Sequence, residues 1–320
     1  MARHYKQLTY AERCQIEILK SNSTTDAQIA KVLGKSRSTI CREIKRNSCS
    51  GKYKAQSADI FSKKRKFRTP KKMRGALLAK IEGHLKDQQW SPSQIAGRLK
   101  REGIRISHET IYQHVSKDKK NGGLLYKHLR RSGKKYNKRS KGSAGRGCIP
   151  NRVDISLRPM IVEEKSRLGD WETDTIIGAD HDGAIVSIVD RTSKLTKLAK
   201  VERKTALEVE QAILFKLSPL SDFVHTITSD NGKEFANHQA IAHALGATFY
   251  FAHPYHSWER GLNEHTNGLV RQYISKGERL SSISQEQLDE IESLLNHRPR
   301  ASLNFNTPLE IFARLSHGHI

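Results

Sequence analysis

Asp174 in GDWETDTIIG, Asp230 in TITSDNGKEF and Glu264 in ERGLNEHTNGLVRQY are the acidic residues of this chain whose settings point to chemistry. Asp174 precedes the β-favouring run Thr175, Ile176, Ile177. Asp230 ends the apolar run Val224–Ser229 and is followed by Asn231-Gly232, a turn signal. After a gap of 33 residues comes Glu264, in a stretch that reads as helix from about Trp258 to Ser275, with Leu262, His265, Leu269 and Gln272 at helical spacing. Two strand-end carboxylates and one helical carboxylate suit a site for two divalent cations, the apparatus for cutting and joining phosphodiester bonds. Like charges about 4 Å apart repel by roughly 4 kcal/mol at an effective dielectric near 20, so such a trio makes poor structural residues unless cations bridge it. Mg²⁺ fits best, because it takes oxygen ligands in octahedral geometry and keeps waters; Mn²⁺ is the expected substitute. Two ions would serve activation of a water or 3′-hydroxyl and stabilisation of the leaving 3′-oxygen, so no protein nucleophile is needed.

These carboxylates require strands and helices in a particular order. The sequence predicts strands near Asp170–Gly178, Ala184–Asp190 and Thr196–Val201, with a turn around Arg191–Lys194. A helix from Thr205 to Leu217, a strand at Val224–Ser229, a helix at Phe235–Leu245, a strand at Ala247–Phe251 and the Glu264 helix follow. This βββαβαβα order is that of an α/β catalytic domain with a ribonuclease H-like fold, and it sets Asp174 and Asp230 on neighbouring central strands.

Charge is unevenly spread. The chain carries +24; residues 1–150 hold 38 Lys and Arg against 10 Asp and Glu, and residues 151–320 hold 19 against 23. A basic half joined to a slightly acidic half implies a nucleic-acid-binding arm and an enzyme-like body, a partition that a ribosomal-type basic protein would not show.

The basic half reads as all-α helix-turn-helix DNA-binding domains. Thr9 caps a helix from Tyr10 to about Ser21 with Ile16, Ile18 and Leu19 on its apolar side; a second runs from Thr25 to about Leu33; Gly34 breaks the chain and Ser36 caps a third, Arg37 to about Arg46. Ile29, Val32, Ile40 and Ile44 are spaced to pack the last two together, leaving Arg37, Ser38, Thr39, Arg42 and Lys45 for a major groove. The pattern recurs: residues 74–88 carry Leu77, Leu78, Ile81 and Leu85; Ser91 caps a helix with Pro92 at its first position and Ile95 and Leu99 inside; after Gly103, Ser107 caps a third with Thr110, Ile111, Tyr112 and Val115. Ser107, His108, Thr110, Gln113 and His114 are its candidate base readers. Lys63–Arg74 holds eight basic residues, read as phosphate contacts, and Arg130–Pro150 holds eight more among Gly and Ser, read as a linker that orders on DNA. The expected domains are 1–50, a basic connector 51–73, 74–129, a linker 130–150, and a catalytic domain 151–320.

Cys14, Cys41, Cys49 and Cys148 show no CxxC spacing, and the 15 histidines form neither HxxxH nor HExxH, so structural zinc is not expected. MARHYKQLTY has no apolar leader and no segment approaches a membrane span. A cytoplasmic, nucleoid-associated bacterial protein with reduced cysteines is expected.

Over nearly its whole length the chain resembles the bacterial DDE transposases of the insertion-sequence thirty family. The resemblance is carried by LTYAERCQI and the helix-turn-helix after it, WSPSQIAGRLK, IPNRVDI, SRLGDWETDTIIG, IVDRTSK, TSDNGKEFA, PYHSWERGLNEHTNGLVRQY and NHRPRASLNFNTPLEIF. It implies that the two catalytic aspartates are Asp174 and Asp230, that the glutamate is Glu264, and that Arg271, two helical turns beyond it, holds a DNA phosphate. Thr173 and His265 stand where the family often has Gly and Asn; neither change removes a metal ligand. The family implies binding to terminal inverted repeats and strand transfer, often through a joined-end or circular intermediate.

Neighbouring groups have competing readings. Glu172, on the Asp174 face of its strand, is either a supporting acid or a solvated one. Glu259 lies about 140° around the helix from Glu264 and is not read as a ligand. Asp190 is read as capping a turn. Asn231 and Asn267 are placed to hydrogen-bond the site; Tyr255 is read as packing, Trp258 as packing or stacking on bases, and Arg298 and Arg300 as near phosphates or on the surface. A repressor derived from a transposase would have no use for three clustered carboxylates. A serine or tyrosine recombinase would leave a covalent protein–DNA adduct, and two helix-turn-helix units favour duplex binding over ribonuclease H-type cleavage. Synapsis of two double-stranded DNA ends predicts a homodimer or larger assembly on DNA.

Overall fold

The computed structural model describes residues 7–66, 73–130, 149–254 and 256–317. It divides into two compact units, Met1–Arg74 and Gly75–Ile320.

The first unit contains α1 (Tyr10–Ser21), α2 (Asp26–Val32), α3 (Arg37–Asn47) and α4 (Ala55–Lys66). Thr9 and Glu12 form a capping box at α1, Thr25 and Gln28 another at α2, and the Ser36 hydroxyl accepts from the Thr39 amide at α3. Each such cap is worth about 1 kcal/mol. Ile16, Ile29 and Ile40 are fully buried with Ala58 and Tyr53, and Ile44 packs against them. Two expected core residues are outside it: Ile18 is 60% and Val32 66% exposed. Ile18 follows Ile16 by about 200° of helix, and Val32 is the last residue of α2. Residues 55–66 of the expected connector 51–73 are helical: α4 joins the bundle, its Ala55 amide bonded to Glu17 at 2.7 Å. Buried Arg13 bonds Glu43 on α3 at 2.8 Å and Asp59 on α4 at 3.1 Å, so three helices share one ion network. The unit thus extends past residue 50. Of its basic run, Arg68, Lys71 and Lys72 lie outside the described residues.

The second unit begins with α5 (Ala76–Lys86), α6 (Pro92–Arg101) and α7 (His108–Lys120). Ser91 and Gln94 form a capping box with Pro92 at the first position, and Ser107 caps α7. Ile81, Leu85, Ile95, Leu99 and Ile111 are fully buried, whereas Tyr112 is exposed. The helices belong to the same compact unit as the catalytic fold. Arg98 grips Glu310 with both guanidinium nitrogens at 3.0 and 2.7 Å, and a Cβ on Gly97 would lie 2.2 Å from the Phe305 ring. These contacts dock the helices of residues 74–129 on the catalytic fold. Residues 131–148 of the expected linker lie outside the described residues.

Then follow β1 (Val153–Asp154), α8 (Met160–Glu164), β2 (Asp170–Ile177), β3 (Ala184–Asp190), β4 (Thr196–Val201), α9 (Ala206–Leu217), β5 (Thr226–Ser229), α10 (His238–Leu245), β6 (Thr248–Phe251), α11 (Gly261–Tyr273), α12 (Gln285–Asn296) and α13 (Pro308–Ser316). The sheet order is β1-β6-β5-β2-β3-β4; β2, β3 and β4 are antiparallel neighbours, and β1, β6, β5 and β2 run parallel. This is the ribonuclease H-like arrangement, with α8, β1, α12 and α13 in addition. Alternation along β2 sends Trp171 to the core shared with α9 and α10, and Ile176 to the core shared with α11 and α12. Asp174 falls on the α11 side.

Candidate active site

Strand register brings the two aspartates together. Glu172 pairs with Thr228 across β2 and β5, and two further residues along set Asp174 level with Asp230, just past the end of β5. A single guanidinium links them: Arg260 Nη1 lies 3.5 Å from Asp174 Oδ1, and Nη2 lies 3.2 Å from Asp230 Oδ2. Asp174 also accepts from Asn267 Nδ2 at 2.8 Å and from the Thr175 amide at 2.9 Å. The Ser187 hydroxyl, cross-strand from Asp174, donates to Asn267 Oδ1 at 2.8 Å. Asp230 accepts from the Gly232 amide at 3.0 Å, the turn that Asn231-Gly232 foretold. Burial pushes the Asp174 carboxyl above its ordinary value; the Arg260 charge opposes this and the Asp230 charge adds to it.

Glu264 is exposed in the first turn of α11, one helical turn before Asn267, the residue that bonds Asp174. No three His, Cys, Asp or Glu among the described residues are grouped to hold a metal ion. The Arg260 guanidinium balances the charge of the aspartate pair. Sequence reading passed over Arg260, although its position four residues before Glu264 gave a signal.

The neighbours resolve into structural partners. Glu172 is 2% exposed and bonds Arg191 at 2.6 Å; Glu163 also holds Arg191, at 3.0 Å, and Arg158. Glu172 is therefore not solvated: its carboxylate is held by Arg191 and by the Asn263 amide. Asp190 accepts from the Ser193 amide and hydroxyl, both at 2.6 Å, and from the Gly169 amide at 2.9 Å, which makes it a turn cap. Glu259 pairs with His253 at 2.8 Å, and this hydrogen bond raises the imidazole above its ordinary value. Asn231 donates to the Ala252 carbonyl at 2.6 Å. Arg271 donates to the carbonyls of Ile177 (2.6 Å) and Ser275 (3.3 Å) and so braces the end of β2. Arg298 and Arg300 are buried, not on the surface. Tyr255 and the Trp258 side chain lie outside the described residues.

On the helix-turn-helix units, Arg37, Ser38, Arg42 and Lys45 are exposed along α3, while half-buried Thr39 hydrogen-bonds Ser36 at 2.8 Å. His108 and Gln113 are exposed on α7; Ser107 and Thr110 are joined in the cap at 2.9 Å, and His114 is tied to Glu82 at 2.9 Å.

The sheet order and the carboxylate pair beside β2 and β5 define a class, the DDE-type strand-transfer enzymes on a ribonuclease H-like fold. A helix-turn-helix domain family matches residues 4–47. The transposase for insertion sequence element IS4351 of Bacteroides fragilis is 45% identical, over 97% of this chain and 96% of that protein. The transposase InsI for insertion sequence element IS30A of Escherichia coli is 35% identical, over 96% of this chain and 83% of that protein. Among solved structures, the catalytic core domain of BIV integrase is similar at a TM-score of 0.36 and 24% identity, over 47% of this chain and 96% of that one. The chain belongs to the insertion-sequence transposases of the IS30 type. No helix among the described residues is long and apolar enough to cross a membrane.

Proposed function

We propose that this transposase binds the terminal inverted repeats of its element and cleaves and joins DNA strands at Asp174, Asp230 and Glu264, with Mg²⁺ as the resident cation. The convergence on one positive group of Asp174, within β2, and Asp230, just past the end of the parallel neighbour β5, carries the reading. The donor set is carboxylate oxygen, and Mg²⁺ is commonly held by one or two carboxylates beside substrate phosphates. Asp174 and Asp230 would hold it, with Glu264 supplied from the first turn of α11. When bound, the cation supplies Lewis-acid stabilisation of charge on the phosphoryl and leaving oxygens. The chain's own residues do the positioning: Asn267, itself held by Ser187, fixes the Asp174 carboxylate, and the Gly232 amide fixes that of Asp230. Arg260 balances the charge of the pair.

Exposed Arg37, Ser38, Arg42 and Lys45 on α3, and His108 and Gln113 on α7, are the groups we assign to duplex contact, and two protomers at least are needed to pair two ends. In an end-cleavage assay, Asp174→Asn and Asp230→Asn should each abolish cutting while gel-shift binding persists. Retained cutting in either would move the site elsewhere.

A further inference from the structure

A cavity of about 350 Å³ lies among the N-terminal turn of α6, α11 and residues 300–302. Its polar lining is basic and hydroxylic: Lys194, His265 and Arg300, with Ser91, Ser93 and Ser302, and no carboxylate among the described residues. Arg300 is only 7% exposed; its Nη2 bonds the Leu295 carbonyl at 3.1 Å, and its Nε and Nη1 have no partner among the described residues. Beside it, Arg298 is 1% exposed and bonds neutral side-chain oxygens, those of Gln94 and Gln272, each at 3.0 Å, and the Tyr273 hydroxyl. Two guanidinium groups are thus buried side by side without a carboxylate partner among the described residues.

Burying an unpaired cation costs several kcal/mol, and a buried donor left unsatisfied in a native fold calls for a missing partner. Nearby acids do not supply one. In the adjoining cavity of about 770 Å³, which shares Lys194, Leu262, His265 and Ser302, Glu172 is held by Arg191, Glu163 by Arg158 and Arg191, and Glu259 by His253. The first turn of α6 adds the positive end of a helix dipole. Burial, together with Arg298, drives the Arg300 guanidinium down to about 9; burial, together with Lys165, drives the Lys194 ammonium down to about 8. The Asp190 and Glu172 carboxylates oppose the shift at Lys194 without cancelling it.

We propose that this cavity binds one phosphate group, on Arg300, Lys194 and Ser302 against the N-terminal turn of α6. The phosphate comes either from a DNA strand or from free phosphate. The site is separate from the carboxylate pair, since His265 stands about 200° around α11 from Asn267, and it does not depend on the metal assignment.

The test is calorimetric titration of the full chain, in EDTA and at constant ionic strength. One arm uses inorganic phosphate and the other a single-stranded tetranucleotide without terminal phosphates. Wild type, Lys194→Met and Arg300→Met are compared, with a thermal melt of each. Saturable binding weakened at least tenfold in the variants is expected. If only inorganic phosphate binds in this way, the source is free phosphate; if the tetranucleotide binds and phosphate competes with it, the source is a DNA strand. Arg300→Met loses a structural hydrogen bond and can misfold, so Lys194→Met, on a half-buried side chain, decides in that case. No saturable binding in either arm, or binding that a folded Lys194→Met leaves unchanged, overturns the proposal.

Discussion

Replacing Arg260 with Gln should make the site bind a divalent cation more tightly. The guanidinium lies 3.5 Å from one aspartate and 3.2 Å from the other, where Coulomb's law at an effective dielectric near 20 gives about 5 kcal/mol for each contact. Solvent reduces this: the Asp230 side chain is 42% exposed, and an ion pair open to water is worth about 1 kcal/mol or less. The Asp174 side chain is 22% exposed and keeps more of its share. A competing stabilisation of about 1.4 kcal/mol remains, which corresponds to about tenfold in cation affinity. Titration of metal-free protein with Mn²⁺, followed by the electron paramagnetic resonance of the free ion, measures it without any turnover. Arg260→Gln should lower the dissociation constant about tenfold, and adding Asp174→Asn should reverse the gain. An unchanged or weakened affinity in Arg260→Gln would refute the reasoning that the arginine occupies the cation's electrostatic place.

Arg191→Met should cost about 3–5 kcal/mol of unfolding free energy, read by urea denaturation, because it leaves Glu172 buried without its partner; a loss under 1 kcal/mol would show the pair to be dispensable. Arg37→Ala with Arg42→Ala should weaken duplex binding across sequences and reduce the slope of log affinity against log salt by about 2; an unchanged slope would take α3 off the phosphate backbone. The Lys194 ammonium is held down to about 8 in the fold against an ordinary 10.5, so the unfolded chain binds more protons in that window and stability contributed at this position rises with pH across it. Subtracting Lys194→Met from wild-type melts between pH 8 and 10.5 should isolate that rise, and a flat difference would contradict the burial.

The catalytic strands were legible because their patterns are local: the run from Ala184 to Asp190 and the alternation from Thr196 to Val201 coincide with β3 and β4. Caps were equally plain at Thr9, Ser36, Ser91 and Ser107, where a hydroxyl precedes a helical run. Hidden were the long-range contacts. Nothing near Arg98 announces Glu310, 212 residues on, and nothing near Gly97 announces Phe305, so the docking of α5–α7 could not be read. Arg298 and Arg300 could be read only as near phosphates or on the surface, because burial without a carboxylate is the rarer outcome for arginine. Two aspartates of the site follow from strand register; the pairing with Arg260 depends on the chain's path between β6 and α11, which no periodicity encodes.

The central claim, that Asp174, Asp230 and Glu264 form a cation-dependent strand-transfer site, is tested most directly by joining labelled element-end DNA to a target with and without Mg²⁺, wild type beside Glu264→Gln. Joined products that require Mg²⁺ and vanish in Glu264→Gln, with end binding intact, are the predicted result. Joined products from Glu264→Gln at the wild-type rate, or joining by wild type in EDTA, would contradict the account.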